Sequence, residues 1–209
     1  DLILVNTCSI KEKAELTVRK RLEKFNAVKK NNPNVKVGVL GCMAERLKAK
    51  LLEEERIVDM VVGPDQYHRI PELLAEGGRK ALTEQGTEEY EEFSPVRKEF
   101  PRAYVNVMRG CDNYCTYCIV PYVRGRERSV PADTVENWVR REVGNGTHEI
   151  VLWGQNVNSY CDGATDFAAL LRRLQQVDGL DWLRFLTSWK YSEPSPIGLS
   201  LVKVNCRFE

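Results

Sequence analysis

Three cysteines lie close together in the middle of the chain with the spacing Cys-x3-Cys-x2-Cys, at Cys111, Cys115 and Cys118. Three thiolates can hold three corners of a four-iron cluster and leave the fourth iron open to a small molecule. A structural zinc site would want a fourth protein ligand, and the next cysteine, Cys161, is distant in sequence. The spacing therefore favours an iron–sulfur cluster with one open position, with a zinc site as the alternative.

The cysteines directly follow a segment that is typical of a strand. Residues 103–108 alternate in polarity and are rich in strand formers. Residues 149–153 and 182–186 predict two further strands, with helices between them. This order is typical of the opening of a (β/α) barrel, in which active groups lie on loops at the carboxyl ends of strands. The loop Gly154-Gln155-Asn156 occupies such a position. Residues 103–188 are thus predicted to form a partial barrel.

The first 80 residues predict an α/β domain of their own. Apolar runs at 2–5, 35–40 and 58–62 predict strands, and helical periodicity separates them. Strands alternating with helices indicate a doubly wound parallel sheet. Ser9 and Glu12 match a capping box, which predicts that the first helix begins there.

Two further cysteines occupy equivalent places in this domain. Cys8 and Cys42 each follow a predicted strand and precede a predicted helix. Ligands bind outside the carboxyl ends of parallel strands, and a helix N-terminus favours a thiolate. The two cysteines are therefore predicted either to share a metal site or to be small buried apolar residues.

The bulk composition excludes some functions. The 209 residues carry a net charge of +1, so no global basic field indicates nucleic acid binding. No signal peptide or apolar run long enough for a membrane span is present, and clustered cysteines then favour metal binding in a reducing cytoplasm. Residues 81–102 are acidic and predict a linker. Tyr122, Arg124, Arg126 and Arg128 form a basic patch that could bind RNA, bind a carboxylate, or be solvated.

Several motifs together resemble the MiaB-type methylthiotransferases of the radical S-adenosylmethionine (SAM) superfamily. The matching segments are Asn6-Thr7-Cys8-Ser9, Gly41-Cys42-Met43-Ala44-Glu45-Arg46, Arg109 to Ser129, and Gly154-Gln155-Asn156-Val157-Asn158-Ser159-Tyr160. The resemblance spans residues 1 to 188, whereas residues 189–209 match nothing and stay unassigned.

The resemblance implies the cofactors and their ligands. Cys111, Cys115 and Cys118 would hold the [4Fe-4S] cluster that cleaves SAM reductively to a radical. Tyr117 and the loop Gly154-Gln155-Asn156 would contact SAM, and no other residue is assigned a catalytic role. Cys8 and Cys42 match the second and third of the three cysteines that hold an auxiliary [4Fe-4S] cluster. The first is expected before residue 1, which suggests that the chain is a fragment and inactive by itself.

The resemblance also implies a substrate. The reaction would be methylthiolation of carbon 2 of N6-isopentenyladenosine beside the anticodon of tRNA. The implied partners are the tRNA anticodon stem-loop and an electron donor such as a flavodoxin or ferredoxin, with a monomeric, cytoplasmic protein and no membrane. The alternatives are methylthiolation of threonylcarbamoyl-adenosine in tRNA or of a ribosomal protein, and a non-catalytic metal-binding protein associated with RNA.

Overall fold

The computed structural model describes residues 1–9, 11–84, 86 and 101–186, together with the backbone of residues 204–205. The chain forms two compact units. The first unit comprises Asp1–Glu88 and Asn113–Gly125, and the second comprises Glu89–Asp112 and Arg126–Glu209. The segment that carries Cys115 and Cys118 thus belongs to the first unit.

The first unit contains a four-stranded parallel sheet. Its strands are β1 (Leu2–Thr7), β2 (Lys36–Gly41), β3 (Met60–Val62) and β4 (Lys80–Leu82). They lie side by side in the order in which they occur in the chain. The helices are α1 (Glu12–Asn31), α2 (Cys42–Leu47), α3 (Ala49–Glu54), α4 (Ile70–Glu76) and α5 (Val120–Arg124), and a short 3-10 helix spans Tyr67–Arg69.

Both faces of this sheet are covered by apolar side chains. Val37, Val39 and Val61 pack with apolar residues of α1 and α3. The alternate positions on β2 and β3, among them Leu40 and Met60, pack instead with residues of α4. Helices therefore cover both faces, as predicted for a doubly wound sheet, although the strand order shows no reversal.

The start of α1 differs from the prediction. The helix begins at Glu12, and the preceding Lys11 makes no side-chain capping hydrogen bond. The Ser9 hydroxyl donates instead to Glu15, at 2.5 Å, so the predicted capping box of Ser9 and Glu12 is wrong. The Ser9 hydroxyl therefore bonds to the Glu15 side chain and not to a backbone N–H group at the start of the helix. Serine hydroxyls often have several such partners to choose from.

The second unit is built on a sheet with three parallel strands. Its regular elements are β5 (Arg102–Asn106), β6 (Met108–Arg109), β7 (Arg128–Ser129), α6 (Ala132–Gly144), β8 (Glu149–Trp153), a 3-10 helix (Val157–Ser159), β9 (Cys161–Asp162), β10 (Thr165–Asp166), α7 (Phe167–Leu174), β11 (Trp182–Leu186) and β12 (Val204–Asn205). The main sheet has the order β12-β11-β8-β5, with β12 antiparallel. β6 pairs with β7, and β9 with β10, as two-stranded ribbons.

One apolar core joins α6 and α7 to this sheet. Val135 and Val139 from α6 and Leu170 from α7 pack with Ile150 and other residues of the strands. The carboxylate of Asp166 caps α7 by accepting from Ala169 N–H at 2.7 Å. The α/β class with parallel sheets is therefore confirmed, and the partial barrel stays a prediction.

Some expectations concern segments outside the described residues. These are most of the acidic linker, the tail 189–209 apart from the backbone of 204–205, and Cys206. β4 extends the first sheet slightly beyond the predicted domain boundary at residue 80. Within the described part of the chain, no helix combines the length and apolarity that crossing a membrane requires.

Candidate functional site

Cys8 and Cys42 follow the carboxyl ends of two adjacent parallel strands. The register of β1 and β2 ends with Thr7 opposite Gly41, and each cysteine is the next residue of its strand. Neighbouring strands lie about 4.8 Å apart, so the backbone brings the two cysteines to the same edge. Cys8 is exposed and Cys42 is 7% exposed. The predicted juxtaposition at this edge agrees with the topology.

Gly41 allows the ends of the two strands to approach each other. Its φ is +95°, and a Cβ at this position would lie 2.4 Å from the carbonyl oxygen of Thr7. The hydroxyl of Thr7 in turn donates to the carbonyl oxygen of Leu40 at 2.5 Å. Any other residue at position 41 would push apart the strand ends from which Cys8 and Cys42 follow.

A three-residue network holds the segment after Cys8 against α2. The Ser9 hydroxyl accepts from Arg46 Nε at 2.8 Å while donating to Glu15. The Arg46 guanidinium also forms an ion pair with Glu15. Because Cys42 is the first residue of the same helix as Arg46, this network ties the two cysteine-bearing segments together.

A buried carboxyl group lies on the same helix. Glu45 is 3% exposed, and its Oε2 lies so close to Gly63 that a Cβ there would be 2.0 Å away. Burial raises the pKa of Glu45 from 4.5 to about 7; Lys48 opposes the rise and the carboxylate of Asp65 adds to it. Glu45 is therefore a group that exchanges a proton near neutral pH.

An arginine from α5 reaches the sulfur of Cys42. Arg124 Nε donates to Cys42 Sγ at 3.2 Å. The sequence indicates only that Arg124 belongs to a basic patch. Neither periodicity nor spacing predicts its contact with Cys42, because the two residues are far apart in the chain. Arg124 belongs to the helix that follows Cys118 within the first unit.

The long loop that carries the other three cysteines closes on a two-stranded base. β6 and β7 pair Arg109 with Arg128. Beyond them, Asp112 N–H donates to Glu127 Oε2 at 3.4 Å, and Glu127 N–H donates to Asp112 Oδ1 at 3.1 Å. Arg126 Nε lies 3.2 Å from the same Asp112 oxygen. These contacts of Asp112 therefore hold the two ends of the loop together.

The cysteines of this loop differ in exposure. Cys111 is buried, Cys115 is exposed and Cys118 is half-buried, with Cys118 N–H donating to the carbonyl oxygen of Cys115 at 2.9 Å. Tyr117 is 89% exposed. Over the described residues, no three histidine, cysteine, aspartate or glutamate side chains are gathered so as to hold a metal ion.

The loops after β5 and β8 touch each other. β5 and β8 are adjacent parallel strands whose register ends with Asn106 opposite Trp153. A Cβ on Gly154 would lie 2.4 Å from Met108 Cγ and 3.1 Å from the Met108 carbonyl oxygen. Gly154 therefore has a packing role, which lets the end of β8 approach the segment that leads to Cys111.

Local hydrogen bonds fix the shape of the second loop. The buried Asn156 donates its side-chain amide to Ser159 Oγ at 3.0 Å, and that hydroxyl donates to the Asn156 carbonyl oxygen at 2.8 Å. Tyr160 is 2% exposed and donates its hydroxyl to the Val130 carbonyl oxygen at 2.7 Å. Burial raises the pKa of Tyr160, and Asp162 adds to the rise. Residues 156–160 thus form a rigid turn.

The residues present fit iron–sulfur chemistry by their donor types and surroundings. Thiolates are the ligands that such clusters use, and hydrogen bonds to their sulfurs tune them. Cys42 already accepts an N–H hydrogen bond from Arg124. Cys111, Cys115 and Cys118 lie in irregular backbone after β6, with Gly110 at a φ of +73°.

Comparisons with known proteins match the two regions of the chain that carry these cysteines. The profile described as Uncharacterized protein family UPF0004 matches residues 1–63, and the profile of the Radical SAM superfamily matches residues 105–193. Relatives named tRNA-2-methylthio-N(6)-dimethylallyladenosine synthase match across both regions. The chain belongs to the MiaB-type methylthiotransferases. Both matched regions contain cysteines of the candidate sites, with Cys8 and Cys42 in the first and Cys111, Cys115 and Cys118 in the second.

Three such relatives show the extent of the likeness. One from Christiangramia forsetii is 50% identical over 90% of this chain and 44% of its own length. One from Chloroherpeton thalassium is 45% identical over 98% of this chain and 46% of its own length. One from Flavobacterium johnsoniae is 56% identical over 77% of this chain and 34% of its own length. The chain spans less than half the length of these relatives.

Proposed function

We propose that this methylthiotransferase sequence serves the methylthiolation of carbon 2 of N6-isopentenyladenosine beside the anticodon of tRNA. The names of its relatives support this substrate. The proposed partners are the tRNA anticodon stem-loop and a reducing protein such as a flavodoxin or ferredoxin. A [4Fe-4S] cluster with SAM supplies, when bound, the radical chemistry that an aromatic C–H bond requires.

One contact carries the proposal most directly, namely that of Gly154 with Met108. It places the loop after β8 beside the segment that leads into Cys111. A small molecule held at one loop would therefore be within reach of the other, at the carboxyl edge where such sheets bind ligands. This supports a SAM contact at the loop Gly154-Gln155-Asn156, beside the segment that leads into Cys111.

The residues of the two loops would have separate tasks. Cys111, Cys115 and Cys118 would hold the cluster, while Asp112 keeps the ends of their loop together. Gly154 and the rigid turn after it would present backbone polar groups of Gln155 and Asn156 to SAM. Tyr117, which is largely exposed, would lie against the adenine.

Cys8 and Cys42 are proposed as two ligands of an auxiliary [4Fe-4S] cluster. Their place after adjacent strands supports this assignment. The Ser9–Arg46–Glu15 network would hold the two segments in position while the cluster assembles.

Anaerobic reconstitution of the full-length protein with iron and sulfide tests the enzymatic part of the proposal. We expect reductant-dependent release of 5′-deoxyadenosine from SAM, and loss of that release in Cys115→Ala. Cys161→Ala is the matched control, because Cys161 is also exposed but lies in β9. Tight stoichiometric zinc binding without SAM cleavage would contradict the proposal and favour a non-catalytic metal protein.

The substrate is tested in a strain that lacks the gene. We expect mass spectrometry of tRNA nucleosides to show loss of the 2-methylthio group from isopentenyladenosine. Loss from threonylcarbamoyl-adenosine instead, or a change only in a ribosomal protein, would assign the chain to one of the two alternative substrates.

A further inference from the structure

We propose that Arg124 is a positioning residue of the auxiliary site, which hydrogen-bonds the sulfur of Cys42 and raises the reduction potential of the cluster bound there. This inference rests on the proposed function, because it takes Cys42 as a cluster ligand. Arg124, which follows the cysteine loop in sequence, would thus help to set the reduction potential of the auxiliary cluster.

The geometry of the contact is specific. Arg124 Nε–H points to Cys42 Sγ at a donor–acceptor distance of 3.2 Å, which is short for a hydrogen bond to sulfur. Cys42 is buried, so water competes little for this acceptor. A guanidinium presents its N–H groups in a fixed plane and stays charged at all relevant pH values.

The helix that carries Arg124 is well placed to hold it. α5 runs from Val120 to Arg124, and Pro121 and Val123 on it are buried. Gly125 follows with a φ of +74°, which ends the helix directly after the arginine. These buried neighbours hold the backbone that carries Arg124, and the contact with Cys42 lies within the first unit.

The electrostatic consequence follows from the charge of the cluster. Reduction adds one negative charge to a group whose sulfur ligands are already electron-rich. A cation that donates a hydrogen bond to one of those sulfurs stabilises the reduced form more than the oxidised form. Removing the donor should therefore lower the midpoint potential.

The experiment isolates the auxiliary cluster. Cys111, Cys115 and Cys118 are replaced by alanine in the full-length protein, so that any reconstituted cluster reports on the auxiliary site to which Cys8 and Cys42 contribute. Redox titration followed by electron paramagnetic resonance then gives the midpoint potential for the parent, Arg124→Gln and Arg124→Lys. Arg126→Gln is the control, because Arg126 is an exposed arginine that pairs with Asp112.

We expect a lower midpoint potential in Arg124→Gln, a smaller decrease in Arg124→Lys, which keeps the charge but loses the planar donor, and none in Arg126→Gln. Equal potentials in the parent and Arg124→Gln would overturn the inference, even if the melting temperature of the cluster-free protein falls. If Arg124→Gln fails to fold, the Lys variant decides by the same criterion. Absence of any cluster in the parent would instead overturn the proposed auxiliary site.

Discussion

Gly154 lies against Met108 with no room for a side chain, since a Cβ on residue 154 would fall 2.4 Å from Met108 Cγ. Met108 is itself fully buried, so it has little space into which to move. A position that the family resemblance marks as a SAM contact thus also has a steric reason to be glycine. The two reasons can be separated, because the steric one acts on stability without any ligand.

Gly154→Ala should destabilise the cluster-free protein by about 1–3 kcal/mol, the usual cost of overpacking. The measurement is urea unfolding followed by circular dichroism. The matched control is Gly144→Ala at the end of α6, where an added Cβ meets nothing within 4 Å; it should leave stability unchanged or raise it by up to about 1 kcal/mol. Equal stability of the two variants would refute the steric role.

Gly41→Ala should destabilise the first unit more strongly than Gly154→Ala does the second. The backbone at Gly41, with φ +95° and ψ −158°, lies in a region almost restricted to glycine, which costs an alanine about 1–3 kcal/mol. The clash with the Thr7 carbonyl oxygen adds to this cost, because a backbone atom cannot rotate away.

Gly77→Ala separates these two contributions. Gly77 also has a positive φ, but a Cβ there meets nothing within 4 Å. Its variant should therefore show only the backbone cost in urea unfolding. A Gly41→Ala variant that loses no more stability than Gly77→Ala would show that the strand ends near Cys8 and Cys42 can move apart freely.

Glu45→Gln should stabilise the protein at pH 8 and leave its stability unchanged near pH 4.5. The pKa of Glu45 in the folded chain is about 7, above its ordinary value of 4.5. The folded state then binds more protons than the unfolded state between these values, so stability falls as the pH rises through this window. The full difference amounts to about 3 kcal/mol.

Urea midpoints measured from pH 4.5 to 8 test this prediction. Glu23→Gln is the control, because Glu23 is exposed on α1. We expect the difference between Glu45→Gln and the parent to grow with pH, while Glu23→Gln tracks the parent. A constant difference across the range would show that burial of Glu45 carries no protonation penalty.

Apolar runs bounded by polar turns predicted much of the fold. β8 and β11 lie at the residues that the sequence indicated. β8 is buried over most of its length and gives a short apolar run, whereas β11 alternates between buried and more exposed residues. The rule that parallel strands share a carboxyl edge also predicted that Cys8 and Cys42 would follow adjacent strands. In both cases the information is local or topological.

Contacts between side chains distant in sequence could not be predicted. The Arg124–Cys42 and Asp112–Glu127 hydrogen bonds depend on the path of a long loop. The periodicity of apolar residues gives no information about that path. The Ser9 capping box failed for a related reason. The local motif was present, but Arg46 from another helix offered the Ser9 hydroxyl a charged partner.

Tyr160→Phe should destabilise the second unit by about 1–2 kcal/mol, because it leaves the buried Val130 carbonyl oxygen without the donor it has here. Tyr117→Phe is the matched control, since that hydroxyl belongs to an exposed side chain and its loss should not change stability. Urea unfolding of cluster-free protein measures both. Hydrogen exchange across residues 154–160 should rise in Tyr160→Phe alone, because Tyr160 anchors the turn that holds Asn156. Unchanged exchange in that variant would mean that the Asn156–Ser159 hydrogen bonds suffice to keep the loop in shape.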